Sequence, residues 1–297
     1  MKNSKFAGFI MTYERPEIVL ETIEILFAQT LTLEKILIVD NSASFDTQKA
    51  IEIVNDSRVV YHRVGYNSGP AGAAAIGLKI LAAEGYDWIY WGDDDDPPLF
   101  DDTLEILMRV AQTSPKCGSV GVVGNYYNPK TGFLERVTDE ELLIEGVLEV
   151  DTIAGGMSKI VNGPMILKTG ISTDEKLFYG SEELDFDLKV KKAGYAHLVD
   201  RAYYLKHRHY FNRMNLAPKK LKKKTDRAIV REYYSIRNNL RILYKNKKYK
   251  TILVFYSYFF LKSFASFKFG FRYGIKMFLN VLVALKDFLM GKYGKTL

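Results

Sequence analysis

Four consecutive aspartates, Asp93 to Asp96, follow the aromatic run Trp88-Ile89-Tyr90-Trp91 and are stopped by Pro97-Pro98. An apolar strand that ends in a block of carboxylates concentrates negative charge where the backbone turns. Like charges this close repel one another and call for compensation. A hard divalent cation bridging carboxylates to a diphosphate supplies it; a plain solvated acidic turn is the alternative. A second acidic cluster, Glu182-Glu183-Leu184-Asp185, follows Phe178-Tyr179-Gly180-Ser181. Ser181 can cap a helix there, and acids in a first turn suit the helix dipole. A carboxylate at that point can instead act as general base on an acceptor hydroxyl. His207 and His209, two of only four histidines, lie in Lys206-His207-Arg208-His209-Tyr210. A neutral imidazole there could complete the coordination of a Mn²⁺-like ion, or be a surface group among cations.

Three further stretches suit a nucleotide. Thr12-Tyr13-Glu14-Arg15-Pro16 links an apolar run to a helix, and such a loop can hold a base by backbone contacts and stacking, although Pro16 alone also suits a helix start. In Ile38-Val39-Asp40-Asn41-Ser42, Asp40 could accept from a pyrimidine N–H or cap a helix. Asn67-Ser68-Gly69-Pro70-Ala71-Gly72 feeds small residues into a helix whose N-terminus favours phosphate or sugar hydroxyls; helix–sheet packing would equally explain Gly72.

The elements that must carry these groups are legible in the periodicity. Strands are expected at 6–11, 35–40 and 59–63 and over the aromatic run, with helices at 17–30, 48–54 and 71–84 between them. This alternation predicts an α/β fold with a mostly parallel sheet and right-handed crossovers. Ligands bind such sheets at the carboxyl ends of strands, where Asp40 and the aspartate block fall. Residues 118–151 read as irregular and strand-rich, and a helix should end at Ala193 before Gly194.

The net charge of +7 hides an asymmetry. Residues 219–297 carry 20 Lys/Arg against 3 Asp/Glu, a net of +17, whereas residues 1–218 carry 22 against 32, a net of −10. The expected division is therefore a body over 1–218, with a nucleotide half to about 117 and an acceptor half from 118, followed by a basic, aromatic, helical region over 219–297. Such a region suits nucleic acid or an anionic membrane surface. Its apolar run 251–260 reads as too short to span a bilayer. The single cysteine, Cys117, excludes an intramolecular disulfide and suggests a reducing compartment; Met1 to Lys5 leads straight into a strand, without the pattern of a secretory leader.

Taken together, the Thr12 loop, the strand ending in Asp40-Asn41-Ser42, the Asn67 loop, Asp93-Asp94-Asp95 and the Glu182–Asp185 segment with Leu188-Lys189 and Ala193-Gly194-Tyr195 resemble a family 2 glycosyltransferase of the GT-A fold. Tyr233-Tyr234 with Arg237-Asn238-Asn239 looks like the element that follows the catalytic domain in rhamnosyl- and galactofuranosyltransferase-like members. The resemblance covers roughly residues 6–243. It implies that Thr12, Asp40 and Asn67, with Tyr13, Arg15 and Gly72 beside them, contact the nucleotide. Asp93 and Asp95 would bind metal and donor with Asp94 on the sugar, although four aspartates also admit an Asp94/Asp96 frame. His207 falls where the family often has a metal-binding histidine. Asn162-Gly163-Pro164-Met165 resembles the acceptor-side loop, with Glu182 on the same side. Glu183 falls where the family usually has an aspartate base, which leaves Asp185 as a competitor.

The expected function is inverting transfer of a sugar from a UDP- or dTDP-type donor, with Mn²⁺ or Mg²⁺, to a hydroxyl of a glycan, lipid-linked in cell-surface polysaccharide synthesis. The basic region would rest on the anionic cytoplasmic leaflet or pair two copies of the chain, making the protein a cytoplasmic, peripheral one that does not bind nucleic acid. The alternatives are a non-enzymatic nucleotide or nucleic-acid binder, disfavoured by the acidic body, and a sugar-nucleotide pyrophosphorylase, whose glycine-rich loop is replaced here by Thr12-Tyr13-Glu14-Arg15.

Overall fold

The computed structural model describes residues 4–154, 158–217 and 221–297. Strands β1 (Phe6–Thr12), β2 (Lys35–Asp40), β3 (Val59–Arg63) and β4 (Trp88–Asp93) alternate with helices α1 (Pro16–Phe27), α2 (Asp46–Val54), α3 (Gly69–Ala83) and α4 (Thr103–Ala111). Then come β5 (Cys117–Gly121), β6 (Gly124–Tyr127), β7 (Leu134–Arg136), α5 (Asp139–Leu142), β8 (Val147–Val150), β9 (Thr152–Ile153), β10 (Lys159–Asn162) and α6 (Gly163–Thr169). The chain closes with α7 (Glu182–Lys192), β11 (Ala196–Asp200), α8 (Arg201–Tyr210), α9 (Asp226–Lys245), α10 (Tyr249–Ala265) and α11 (Phe271–Leu289).

The main sheet runs in the order β3-β2-β1-β4-β10-β5-β11-β8. Its first four strands are parallel, β10 is antiparallel to both β4 and β5, β11 is parallel to β5, and β8 is antiparallel to β11. This is the expected mostly parallel mixed sheet. β1 is buried along its whole length because both faces are covered, as parallel strands require. Phe6 and Ile10 pack with Val19, Ile23 and Leu26 of α1. Ala7, Phe9 and Met11 pack with Ala73, Ala74 and Leu78 of α3. The small residues of α3 let it lie close to the sheet: a Cβ on Gly77 would stand 2.4 Å from the Phe9 ring.

The compositional break near residue 218 is not a break in packing. α9 buries Tyr233, Ile236, Arg237, Asn238 and Leu240, and its cluster takes in Tyr127, Phe133, Phe178 and Tyr179 of the body. Asn238 Nδ2 donates to the carbonyls of Leu177, Tyr179 and Gly180 at 3.0, 3.0 and 2.8 Å. The Arg237 guanidinium also donates to the Leu177 carbonyl, and to Gly294 near the C-terminus. These bonds fix a tight loop in which Phe178 (φ 63°) and Ser181 (φ 70°) adopt left-handed backbone, a conformation that costs a non-glycine residue on the order of 1–2 kcal/mol.

The expectation of no membrane-length apolar segment fails. α10 continues through a 3₁₀ turn (Ser266–Phe269), so Tyr249–Phe269 forms 21 helical residues, within which an 18-residue stretch has mean hydropathy 1.2 and is 22% buried, long and apolar enough to cross a bilayer by length and composition. The shorter estimate counted only the uninterrupted apolar stretch and missed that Lys262 and Lys268 do not end the helix.

Asn238→Ala removes the donor shared by three buried carbonyls. It should lower unfolding free energy by about 1–3 kcal/mol, read from the urea midpoint at unchanged m, and an unchanged midpoint would show that the loop holds itself.

Candidate active site

At the carboxyl ends of β1 and β4, a pocket of about 510 Å³ collects residues from six separate segments, among them Asn41 after β2. β1 and its loop supply Thr12, Tyr13 and Arg15; the loop before α3 supplies Asn67 and Gly69; β4 supplies Asp93, Asp94 and Asp95. The Phe178–Gly180 loop and the first turn of α7 add Glu182 and Glu183, and α9 adds Arg227 and Arg231.

The aspartate block is divided by its neighbours. Asp94 is buried, accepts from Thr12 Oγ1 at 2.7 Å and from Arg15 at 3.2 Å, and its carbonyl accepts from Thr22 Oγ1 at 2.6 Å. Asp95 is exposed and pairs with Arg15 at 2.5 Å. Asp93 faces the pocket; burial first, then the Glu183 carboxylate and the adjacent aspartates, push its carboxyl up to about 8. Asp96 does not line the pocket, so the lining aspartates are those of the Asp93/Asp95 frame. Asp94 lines the pocket as well, held against the β1 loop by Thr12 and Arg15.

The first turn of α7 is a cluster of crowded carboxyls. Glu182 is buried, and one of its oxygens has no hydrogen-bond partner. Its proton affinity is raised by burial and next by Glu183, and that of Glu183 by burial, with Lys159 opposing. A raised proton affinity suits a carboxylate that must accept a proton. Asp185 lies on the other side of the helix, buried and paired with Lys189 at 2.5 Å, and does not reach the pocket. Of the two candidate bases, only Glu183 is positioned on it. Ser181 does not cap α7; its hydroxyl instead accepts from Asn239 at 3.0 Å. Asp187, further along, is a structural anchor that binds Lys159, Thr152 Oγ1 and the Ile153 amide.

Several expected residues lie elsewhere. Asp40 is fully buried, with its carboxylate taken by the Tyr61 hydroxyl at 2.7 Å and the Ser42 amide at 2.8 Å. Its neighbour Asn41 lines the pocket and clamps the Asn67 loop through Ser68 and the Gly69 carbonyl. Gly72 is a packing glycine whose Cβ would meet Ser68 at 2.5 Å; the loop's close approach is at Gly69, where a Cβ would stand 2.1 Å from the Phe178 carbonyl. Asn162 and Gly163 are at the wrong end of the sheet for an acceptor. β10 runs antiparallel to β4, so Asn162 pairs with Trp88 rather than with the aspartate end. Asn162 caps α6 through the Met165 amide, and Gly163 allows close contact with the Tyr86 carbonyl.

His207 is buried on α8, with its ring edge-on to Phe100 at 5.2 Å and 5.4 Å from Tyr203. Burial, then Lys206, lower it to about 4, so it is neutral, and neither ring nitrogen has a partner among the described residues. It does not line the pocket. Among the described residues no three His, Cys, Asp or Glu converge as a metal cluster. A hard cation shared with substrate phosphates needs only one or two carboxylates, and Asp93 with Asp95 meets that requirement without His207.

Sequence reasoning missed Arg227 and Arg231. They lay inside a basic stretch whose charge pointed outward to a surface, and only the docking of α9 turns them toward the carboxylates.

The description "Glycosyl transferase family 2" matches residues 9–157, half of the 297-residue chain. Over 218 residues the chain is 25% identical to galactofuranosyltransferase GlfT1 of Mycobacterium tuberculosis, covering 68% of this chain and 70% of that protein. It is 23% identical over 198 residues to the Mycolicibacterium smegmatis GlfT1, covering 62% and 65%. Among solved structures, S. aureus TarS 1-349 in complex with UDP-GlcNAc superposes with a TM-score of 0.54 at 16% identity, over 96% of this chain and 81% of that one. The mannosyltransferase PcManGT from Pyrobaculum calidifontis, in complex with GDP-Man and Mn²⁺, does so with a TM-score of 0.54 at 13% identity, over 99% and 76%. The shared fold is that of GT-A glycosyltransferases. The chain belongs to glycosyl transferase family 2 and is a glycosyltransferase.

Proposed function

We propose that the protein moves a sugar from a nucleoside diphosphate donor of UDP or dTDP type to a hydroxyl of a glycan in cell-surface polysaccharide synthesis, with inversion at the anomeric carbon. The observation that carries this reading is one pocket lined together by Asp93, Asp95, Glu183, Arg227 and Arg231. The mycobacterial relatives named galactofuranosyltransferases support sugar transfer, and the Mn²⁺ in the PcManGT complex supports a divalent cation.

Tyr13, 44% exposed, offers a ring to the nucleobase, and Asn41 and Asn67 offer polar groups to base and ribose. Arg227 and Arg231 face the diphosphate as the cations that balance it. Asp93 and Asp95 would hold a divalent cation, Mn²⁺ or Mg²⁺, with the donor phosphates; when bound, the cation neutralises charge growing on the departing diphosphate. Glu183 takes the proton of the acceptor hydroxyl. The acceptor oxygen then forms a bond to the anomeric carbon while the bond from that carbon to the diphosphate oxygen breaks, the proton staying on Glu183 and the electron pair leaving with the nucleoside diphosphate. Attack from the face opposite the leaving group inverts the centre.

The hairpin of α10 and α11 suits a peripheral contact with the inner face of the cell membrane, and hence a lipid-linked acceptor. Leu253, Leu261, Phe271 and Leu289 are 67–73% exposed, and Lys250, Lys268, Arg272 and Lys286 are exposed among them. Each such cation near an anionic surface contributes about 1 kcal/mol, and the apolar side chains add interfacial burial.

Three outcomes test these statements. Turnover should stop in EDTA and return with Mn²⁺ or Mg²⁺, and Asp95→Ala should abolish it with the melting midpoint within a few degrees of the parent; full activity in EDTA would refute the cation. Glu183→Gln should cut turnover by about two to four orders of magnitude with donor binding retained in a thermal-shift titration, whereas Asp185→Asn should keep turnover; the reverse result would make Asp185 the base. The full chain should sediment with vesicles containing phosphatidylglycerol, partly release at high salt, and bind at least tenfold more weakly as Leu253→Glu/Leu261→Glu. Equal binding to neutral and anionic vesicles, or to neither, would remove the electrostatic anchor and leave pairing of two copies, visible by gel filtration.

A further inference from the structure

A second cavity, of about 340 Å³, shares Glu183 with the donor pocket. Its volume lies in the roughly 300–1,000 Å³ range of small-molecule sites. One wall is aromatic: Phe133 from the β6–β7 connection meets Phe255 and Phe259 of α10 at ring separations of 5.0 and 6.0 Å. The lining also carries polar side chains. Asn239 of α9 donates through Nδ2 to Ser181 Oγ and to the Ser235 carbonyl, which leaves its Oδ1 without a partner among the described residues. Asn125 stands with it. A lining that combines aromatic rings with hydrogen-bonding side chains is what a sugar recognises, with its C–H face on the rings and its hydroxyls on the amides.

We infer that this cavity binds the acceptor sugar, as the terminal ring of a glycan with a hydrophobic aglycone; the inference rests on the glycosyl-transfer reading above. Glu183 alone among the carboxylates lines both cavities, so a hydroxyl presented from the second cavity meets the base with the donor carbon on the base's other approach. The aglycone follows from α10. Phe255, 2% exposed, turns one side of this helix into the cavity wall, while Leu253 and Leu261, 70% and 67% exposed, lie on its outer side. An acceptor seated at Phe255 and Phe259 therefore has an apolar helix surface leading away from it, which suits a lipid carrier better than a free oligosaccharide.

The test uses the full chain with Mn²⁺. Cys117 is the only cysteine and is buried, so Leu134→Cys, at a lining position that is 47% exposed, gives a single reactive thiol at the cavity. At least one of n-octyl β-D-galactofuranoside, n-octyl α-L-rhamnoside and n-octyl N-acetyl-β-D-glucosaminide should slow maleimide labelling fivefold or more, while UDP and n-octanol should not. Ser235→Trp, which fills the cavity, should raise the KM for the protecting glycoside at least tenfold and move the donor KM less than twofold. Asn239→Ala should do the same more weakly, should the tryptophan impair folding. If nucleotide sugars shift the melting midpoint but no octyl glycoside protects the thiol, or if both variants keep the parent acceptor KM, the cavity is a packing gap and the inference is overturned. If no nucleotide sugar binds at all, the glycosyl-transfer reading itself has failed, a separate result.

Discussion

Carboxylate crowding at the end of β4 is the constraint around which the site is arranged. Four adjacent anions cannot share one turn in the same state. The fold separates them by giving each a different environment: Arg15 and Thr12 fix Asp94, Arg15 also meets the exposed Asp95, and Asp93 is left facing an open pocket. Glu182 and Glu183 then approach from α7 and raise the crowding further. A site so loaded with negative charge is a poor host for a diphosphate by itself and a good one for a diphosphate accompanied by a cation. The two arginines of α9 act in the same direction, since they bring positive charge to the lining of the same pocket.

That role makes α9 part of the catalytic body rather than an appendage. The same helix clamps the Leu177–Gly180 carbonyls, and the clamp over-determines two left-handed residues whose loop delivers Glu182 and Glu183. Backbone strain held by surrounding hydrogen bonds is characteristic of functional loops. The Gly69 contact with the Phe178 carbonyl ties the nucleotide side of the pocket to that loop, so both halves of the site are referenced to one short segment.

Much of this was legible in the sequence because parallel strands buried on both faces read as continuous apolar runs. β2 was bounded to the residue at Lys35–Asp40 in this way, as was the half-buried edge strand β3 at Val59–Arg63, and the carboxylates at strand ends pointed to the binding edge. What failed was direction. Periodicity locates Asp40 at a strand end but does not reveal that Tyr61 across the sheet claims its carboxylate. It cannot show that β10 inserts antiparallel, which carries Asn162 and Gly163 away from the aspartates. His207 packs against Tyr203 and Phe211, one helical turn away on either side, but the ring that closes over it, Phe100, comes from distant sequence, which periodicity could not supply. The basic composition of 219–297 pointed to a surface, and it masked the buried face that docks α9.

The pocket and the cavity meet α9 at Arg227, Arg231, Ser235 and Asn239, which recur every fourth residue. An α-helix advances about 1.5 Å per residue and turns about 100°, so this stripe climbs roughly 18 Å while winding slowly around the rod. The spacing between the two cavities along α9 is thus set by the pitch of one rigid rod rather than by two independently moving loops. On the proposed reading, exchanging groups at Ser235 and Asn239 would alter what is glycosylated without disturbing what is donated. A single inserted residue between the rungs would rotate one half of the stripe out of register with the other.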